Sequence, residues 1–147
     1  MFVLPGMRAI AVLLGVLVLY GCADQGLPLP CGAERFTPPD IYRRWWGEVE
    51  ECSGRTAGFD SITWYFVGDD TTQTFRSTTA EHPSEPQEVC GLAIPESGIV
   101  VVAKGMLGNE YVLRHEILHI LANTPRHPPE IFGPGAPCYC LIAHGGK

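Results

Sequence analysis

Positive charge is scarce in this chain. Ten lysines and arginines stand against sixteen aspartates and glutamates in 147 residues, a net charge of −6. Nucleic acid and anionic lipid surfaces recruit basic faces, so this balance argues against nucleic acid as a partner. The length leaves room for one small domain with a modest core. A permanent membrane span is missing: the apolar run Ala9–Tyr20 has twelve residues, short of the roughly 20 that a spanning helix needs. No internal repeat is visible. Histidine is sparse as well, yet three of the five histidines crowd into the stretch from His115 to His127.

Twelve apolar residues do suit the core of an export signal. Arg8 precedes the run, and "LYGC" (Leu19 to Cys22) follows it. That tetrapeptide resembles the bacterial lipobox, in which the cysteine is lipidated and becomes the mature N-terminus. The expected organisation is a signal peptide over 1–21, a Gly- and Pro-rich tether over 22–36 and a folded domain over 37–147. Lipid on Cys22 would hold the domain to a membrane of the cell envelope. Ala23, not Asp, follows the cysteine, which by the sorting rule of some Gram-negative lipoproteins favours the outer membrane, facing the periplasm or the exterior. Ordinary secretion and a retained N-terminal anchor are the alternatives. Cleavage would remove Arg8 and no acidic residue, giving a mature charge of 9 − 16 = −7.

An exported chain with six cysteines is expected to form disulfides. With Cys22 lipidated, five remain, at 31, 52, 90, 138 and 140. Two bridges are expected, and Cys138 and Cys140 are too close to pair easily with each other.

Local patterns predict an α+β domain with an N-terminal helix, a short mixed sheet and a second helix. "TPPDIYRRWWGEVEECSG" opens on a capping Thr37 and two prolines and ends at Gly54. Ile41, Trp45, Val49 and Cys52 fall at helical spacing; of the Trp45–Trp46 pair, one is expected in the core and the other half-exposed. "SITWYFV" (61–67) is a strand, and the polar "TTQTFRSTT" (71–79) is its expected hairpin partner. Residues 81–90 read as loop, with His82 solvated. "GIVVVAK" (98–104) is the clearest strand, and a helix capped by Asn109 runs through Ala122. The tail from Thr124, dense in proline and glycine, reads as loop.

The second helix carries "HEILH". Residues four apart on a helix lie about 40° apart around its axis, so His115 and His119 can aim their imidazoles at one Zn²⁺. Glu116, turned about 100° from His115, flanks the metal and can take a proton from zinc-activated water while zinc polarises the substrate carbonyl. Leu113, Ile117, Ile120 and Leu121 gather on the opposite side, ready to pack on a sheet.

On these residues the segment resembles the zincin metallopeptidases. The resemblance rests on His115–His119, on the strand before the helix and on the helix–strands–helix order. It implies a zincin-like domain with His115 and His119 as zinc ligands and Glu116 as general base. It also implies that Gly98–Lys104, or its neighbour in the sheet, rims the cleft and pairs with an extended peptide or protein substrate.

The third ligand departs from the familiar zincin patterns. The metzincin glycine position holds Ala122 and its last-histidine position holds Pro125. The gluzincin pattern takes a glutamate from a distant second helix, and only Glu130 follows. His127 is the better candidate, because Asn123 can end the helix in a left-handed conformation, Pro125 stops its continuation, and the turned chain can reach back to the metal. Glu130, or neither residue, remains the alternative, with His144 more remote. Tyr139, Arg126 and His144 are the candidates for a donor to the oxyanion, whereas Tyr111 reads as packing.

The function these residues suggest is a small lipid-anchored zinc metallopeptidase hydrolysing peptide bonds in the bacterial cell envelope. A non-catalytic zincin-like binding lipoprotein and a structural zinc domain are the competing classes. Glu116 speaks against a purely structural site, which has no need of a carboxylate beside an open metal position.

Overall fold

Two helices cross one face of a four-stranded sheet in the computed structural model, which describes residues 29–143. In chain order the elements are β1 (Glu34–Phe36), α1 (Asp40–Ser53), β2 (Thr63–Val67), β3 (Phe75–Ser77), β4 (Gln87–Val89), β5 (Gly91–Ile94), β6 (Ile99–Ala103), α2 (Glu110–Ala122), α3 (Pro129–Phe132) and α4 (Tyr139–Ile142). The sheet order is β1-β2-β6-β5, with β2 and β6 parallel and the outer pairings antiparallel. A separate ribbon joins β3 to β4. The result is a small mixed α+β domain, and no helix among the described residues is long and apolar enough to cross a membrane. Cys22, the expected signal segment and His144 lie outside the described residues.

β6 explains why its sequence is unbroken by polar residues. Val100 and Val102 pack toward the helices, while Ile99, Val101 and Ala103 pack with Phe75 and Ile94 in a second cluster on the other face. A strand covered on both faces reads as a continuous apolar run instead of an alternation. It is also interior to the sheet, so Gly98–Lys104 has no free edge, and the expected rim role falls away from it. β5 is the edge strand at that side.

α1 begins without a side-chain cap, its N-cap position being Pro39, so the expected cap at Thr37 does not form. It ends as expected at Gly54, whose left-handed backbone (φ 66°) lets its N–H bond Glu50 O. Trp45 and Trp46 are both buried, at 7% and 3% exposure, where one half-exposed ring was expected. The reason is a shared aromatic cluster: Trp45 stacks on Tyr42, Trp46 meets Phe59 edge-on, and Trp64 of β2 contacts both Tyr42 and Phe59. Each helical face therefore finds a partner. Arg114 of α2 pairs with Glu48 of α1 and with Glu110 one turn earlier, tying the helices at their polar margin.

The expected hairpin between β2 and the 71–79 segment is not formed. β2 is already paired on both sides, by β1 and β6, and β3 pairs instead with β4, inside the stretch expected to be loop. The tether is shorter than expected, since Glu34–Phe36 joins the sheet. The tail also contains α3 and α4. A disulfide joins Cys52 at the end of α1 to Cys138 at the start of α4, and Cys31 is disulfide-bonded as well, while Cys90 and Cys140 are free.

Candidate metal centre

α2 forms where the sequence marks it. The Asn109 side chain accepts from the Tyr111 and Val112 N–H groups, and Asn123 closes the helix with φ 48° and ψ 46°. The left-handed turn at Asn123 redirects the chain, and Thr124 N–H bonds back to His119 O at 3.1 Å. Leu113, Ile117, Ile120 and Leu121 are all buried, as the helical spacing requires.

Three histidines meet on the other side. Nε2 of His115 lies 2.8 Å from Nε2 of His127 and 3.2 Å from Nε2 of His119, and the last pair is separated by 3.1 Å. Two of these rings are oriented from behind. His119 Nδ1 faces Thr124 O at 2.8 Å, and His127 Nδ1 faces a Glu81 carboxylate oxygen at 3.1 Å. A carbonyl and a carboxylate only accept hydrogen bonds, so each Nδ1 carries the proton. In the neutral rings the Nε2 atoms of His119 and His127 are then lone-pair acceptors turned toward each other. Such a contact is repulsive unless a cation lies between them. The three residues could hold a metal ion, and the chemistry of the donor set fits one.

Burial keeps the His115 and His119 imidazoles neutral. It pushes His115 down to about 3, helped by the neighbouring histidines, and His119 to about 4 against the opposing hydrogen bond to Thr124. Phe132 of α3 packs against all three rings, with centroids 4.4 to 5.2 Å away. Glu130, on the same short helix, is exposed and outside the histidine cluster.

Glu116 is 6% exposed. Burial raises its carboxyl to about 8, with the Ala93 backbone N–H working in the opposite direction. It lines, with His115, His119 and His127, a cavity of about 520 Å³ whose lining also includes Leu92 and Ile94 of β5. Gly91 is what lets β5 approach: a Cβ there would sit 2.6 Å from the Glu116 carboxylate. Cys90 lines the same cavity, its thiol raised by burial and by the Glu116 charge. Tyr139 borders an adjoining cavity next to His115 and His127. Arg126 is exposed on the loop, and His82 is exposed as expected.

Sequence reasoning overlooked Glu81, Gly91, Cys90 and Phe132. Phe132 had a local signal, an apolar residue one helical turn after a proline pair; the others depend on contacts across the fold. No protein-family model, curated protein or solved structure matches the chain.

Proposed function

We propose that the chain is a zinc-dependent metallopeptidase, tethered through lipid on Cys22 and acting on peptide or protein in the bacterial cell envelope. The observation that carries this reading is the convergence of the three Nε2 atoms in a cavity that also holds Glu116. Nitrogens bound at about 2.0–2.1 Å to a tetrahedral zinc lie roughly 3.3 Å apart, close to the observed separations of 2.8 to 3.2 Å. Three protein ligands leave a fourth position open, which distinguishes a catalytic site from a structural one. Zinc held there supplies Lewis-acid activation of water and of a substrate carbonyl.

The chain's own groups supply the rest. With a bound cation's charge nearby favouring its ionised form, Glu116 would accept a proton from the water and return it to the departing amine nitrogen, so the carboxylate would end each cycle as it began. Its burial favours holding the proton between those two steps. Tyr139, bordering the adjoining cavity at His115 and His127, and Tyr111, which lines the histidine cavity itself, offer O–H donors for the oxyanion. β5 offers an edge to an extended peptide, and Leu92 and Ile94 give the cavity an apolar wall.

The test is a peptide-library digest read by mass spectrometry. Wild type should cleave in a chelator-sensitive way, and zinc-loaded Glu116→Gln should be slower by at least ~100-fold, the usual contribution of a general base. Equal rates would reject the mechanism. Intact zinc without cleavage by wild type would favour a binding lipoprotein.

A further inference from the structure

The two helical histidines need little help to face a common point, since α2 fixes their spacing. His127 has no such support. It lies on an irregular loop between Pro125 and Pro128, and its side chain is 46% exposed. A ring in that setting would rotate freely about its side-chain bonds unless something held it.

Glu81 holds it. One carboxylate oxygen, Oε1, accepts from the His127 backbone N–H at 3.0 Å and from Nδ1 at 3.1 Å, across 46 positions of sequence. The glutamate is itself presented on a closed turn at the tip of the β3–β4 ribbon. Thr79 and His82 exchange backbone hydrogen bonds of 3.4 and 3.1 Å, and the Thr79 hydroxyl accepts from His82 N–H at 3.2 Å. An acidic residue on a turn is ordinarily solvated. This one, itself still exposed, makes two bonds to a single distant residue, and ribbon residues 77–81 line the cavity wall beside the histidines.

We propose that Glu81 is a positioning residue of the metal centre, fixing the Nδ1–H tautomer and the orientation of His127 so that Nε2 completes the triad. The inference rests on the three-histidine metal reading and extends it to a second loop. Donating the Nδ1–H to the Glu81 carboxylate raises the basicity of the opposite nitrogen and lowers the entropy cost of ordering the ring. Loss of such an outer partner typically costs 10- to 100-fold in metal affinity.

The experiment is a double-mutant cycle on zinc affinity, with the full-length protein competed against a chromophoric chelator. Glu81→Ala should bind Zn²⁺ at least ~10-fold more weakly than wild type, while metal-free unfolding shifts no more than an exposed hydrogen bond would move it. Glu81→Ala/His127→Ala should be no weaker than His127→Ala alone, because Glu81 acts only through that ring. A purely architectural role would instead add in full. Glu81→Gln guards against misfolding of the alanine variant and should lose affinity severalfold. Zinc binding within twofold of wild type in both Glu81 variants, or full additivity in the cycle, overturns the inference and leaves the triad standing. Undiminished binding in His115→Ala and His119→Ala overturns the triad and Glu81's role together.

Discussion

Replacing Glu116 with glutamine separates the stability cost of the site from its chemistry. Glutamine keeps the shape and one acceptor oxygen but cannot ionise. Glu116 is 6% exposed, and burial moves its carboxyl from 4.5 to about 8 in the metal-free chain. Between those values the folded protein retains a proton that the unfolded chain has released. The folded state binds more protons there, so stability falls as pH rises from 4.5 to about 8 and is flat above. A displacement of that size corresponds to roughly 5 kcal/mol at the plateau, an upper figure that water penetration and relaxation reduce. Glutamine carries no such penalty. The difference in unfolding free energy should therefore start near zero at about pH 4.5, grow by up to about 1.4 kcal/mol per pH unit, and level off near pH 8 with Glu116→Gln the more stable. His115 and His119, pushed down to about 3 and 4, destabilise both proteins alike as pH falls below 6.5, so they cancel in the comparison. Urea unfolding with chelator present, followed by tryptophan fluorescence across this range, measures the difference directly. A pH-independent difference, or a more stable wild type at about pH 9, would refute the buried placement of the carboxylate.

Gly91→Ala should keep zinc but impair turnover by ~10-fold or more, because its Cβ would meet Glu116 Oε1, Cγ and Cδ at 2.6 to 2.9 Å and force the carboxylate aside; metal content with peptide cleavage checks it. Replacing Cys52 and Cys138 by serine opens a cross-link spanning 86 positions and should lower stability by roughly 3–4 kcal/mol, read as a reduced urea midpoint. Labelled fatty acid should enter wild type in a bacterial host and not Cys22→Ser; equal labelling would reject the lipobox.

What was legible in the sequence is what local chemistry dictates. Asn109 and Asn123 bound α2 because their side chain and left-handed backbone satisfy helix ends directly, and the stop at Pro125 was enough to predict that His127 turns back. The sheet was less legible. Nothing local in Ser61–Val67 distinguishes a hairpin partner at 71–79 from a parallel partner at 99–103, since that choice is settled by which faces become buried. Trp46 could not be assigned to the core without Phe59 opposite it. Glu81 carries no pattern at all: a carboxylate in a polar loop acquires a role only when the ribbon brings it to His127.

The three histidines lie no more than twelve positions apart, whereas Thr63 and Ile99 must meet across the whole ribbon before β2 and β6 can join. A chain that has lost its sheet and core thus still carries all three imidazoles within one short loop, whose closure around an ion costs little entropy. Zinc bound by the proposed site would bind the denatured chain too, and only the ratio of the two affinities counts toward stability. The metal would consequently protect the fold by less than its native affinity suggests. On refolding, it would be captured before the parallel strands have found each other.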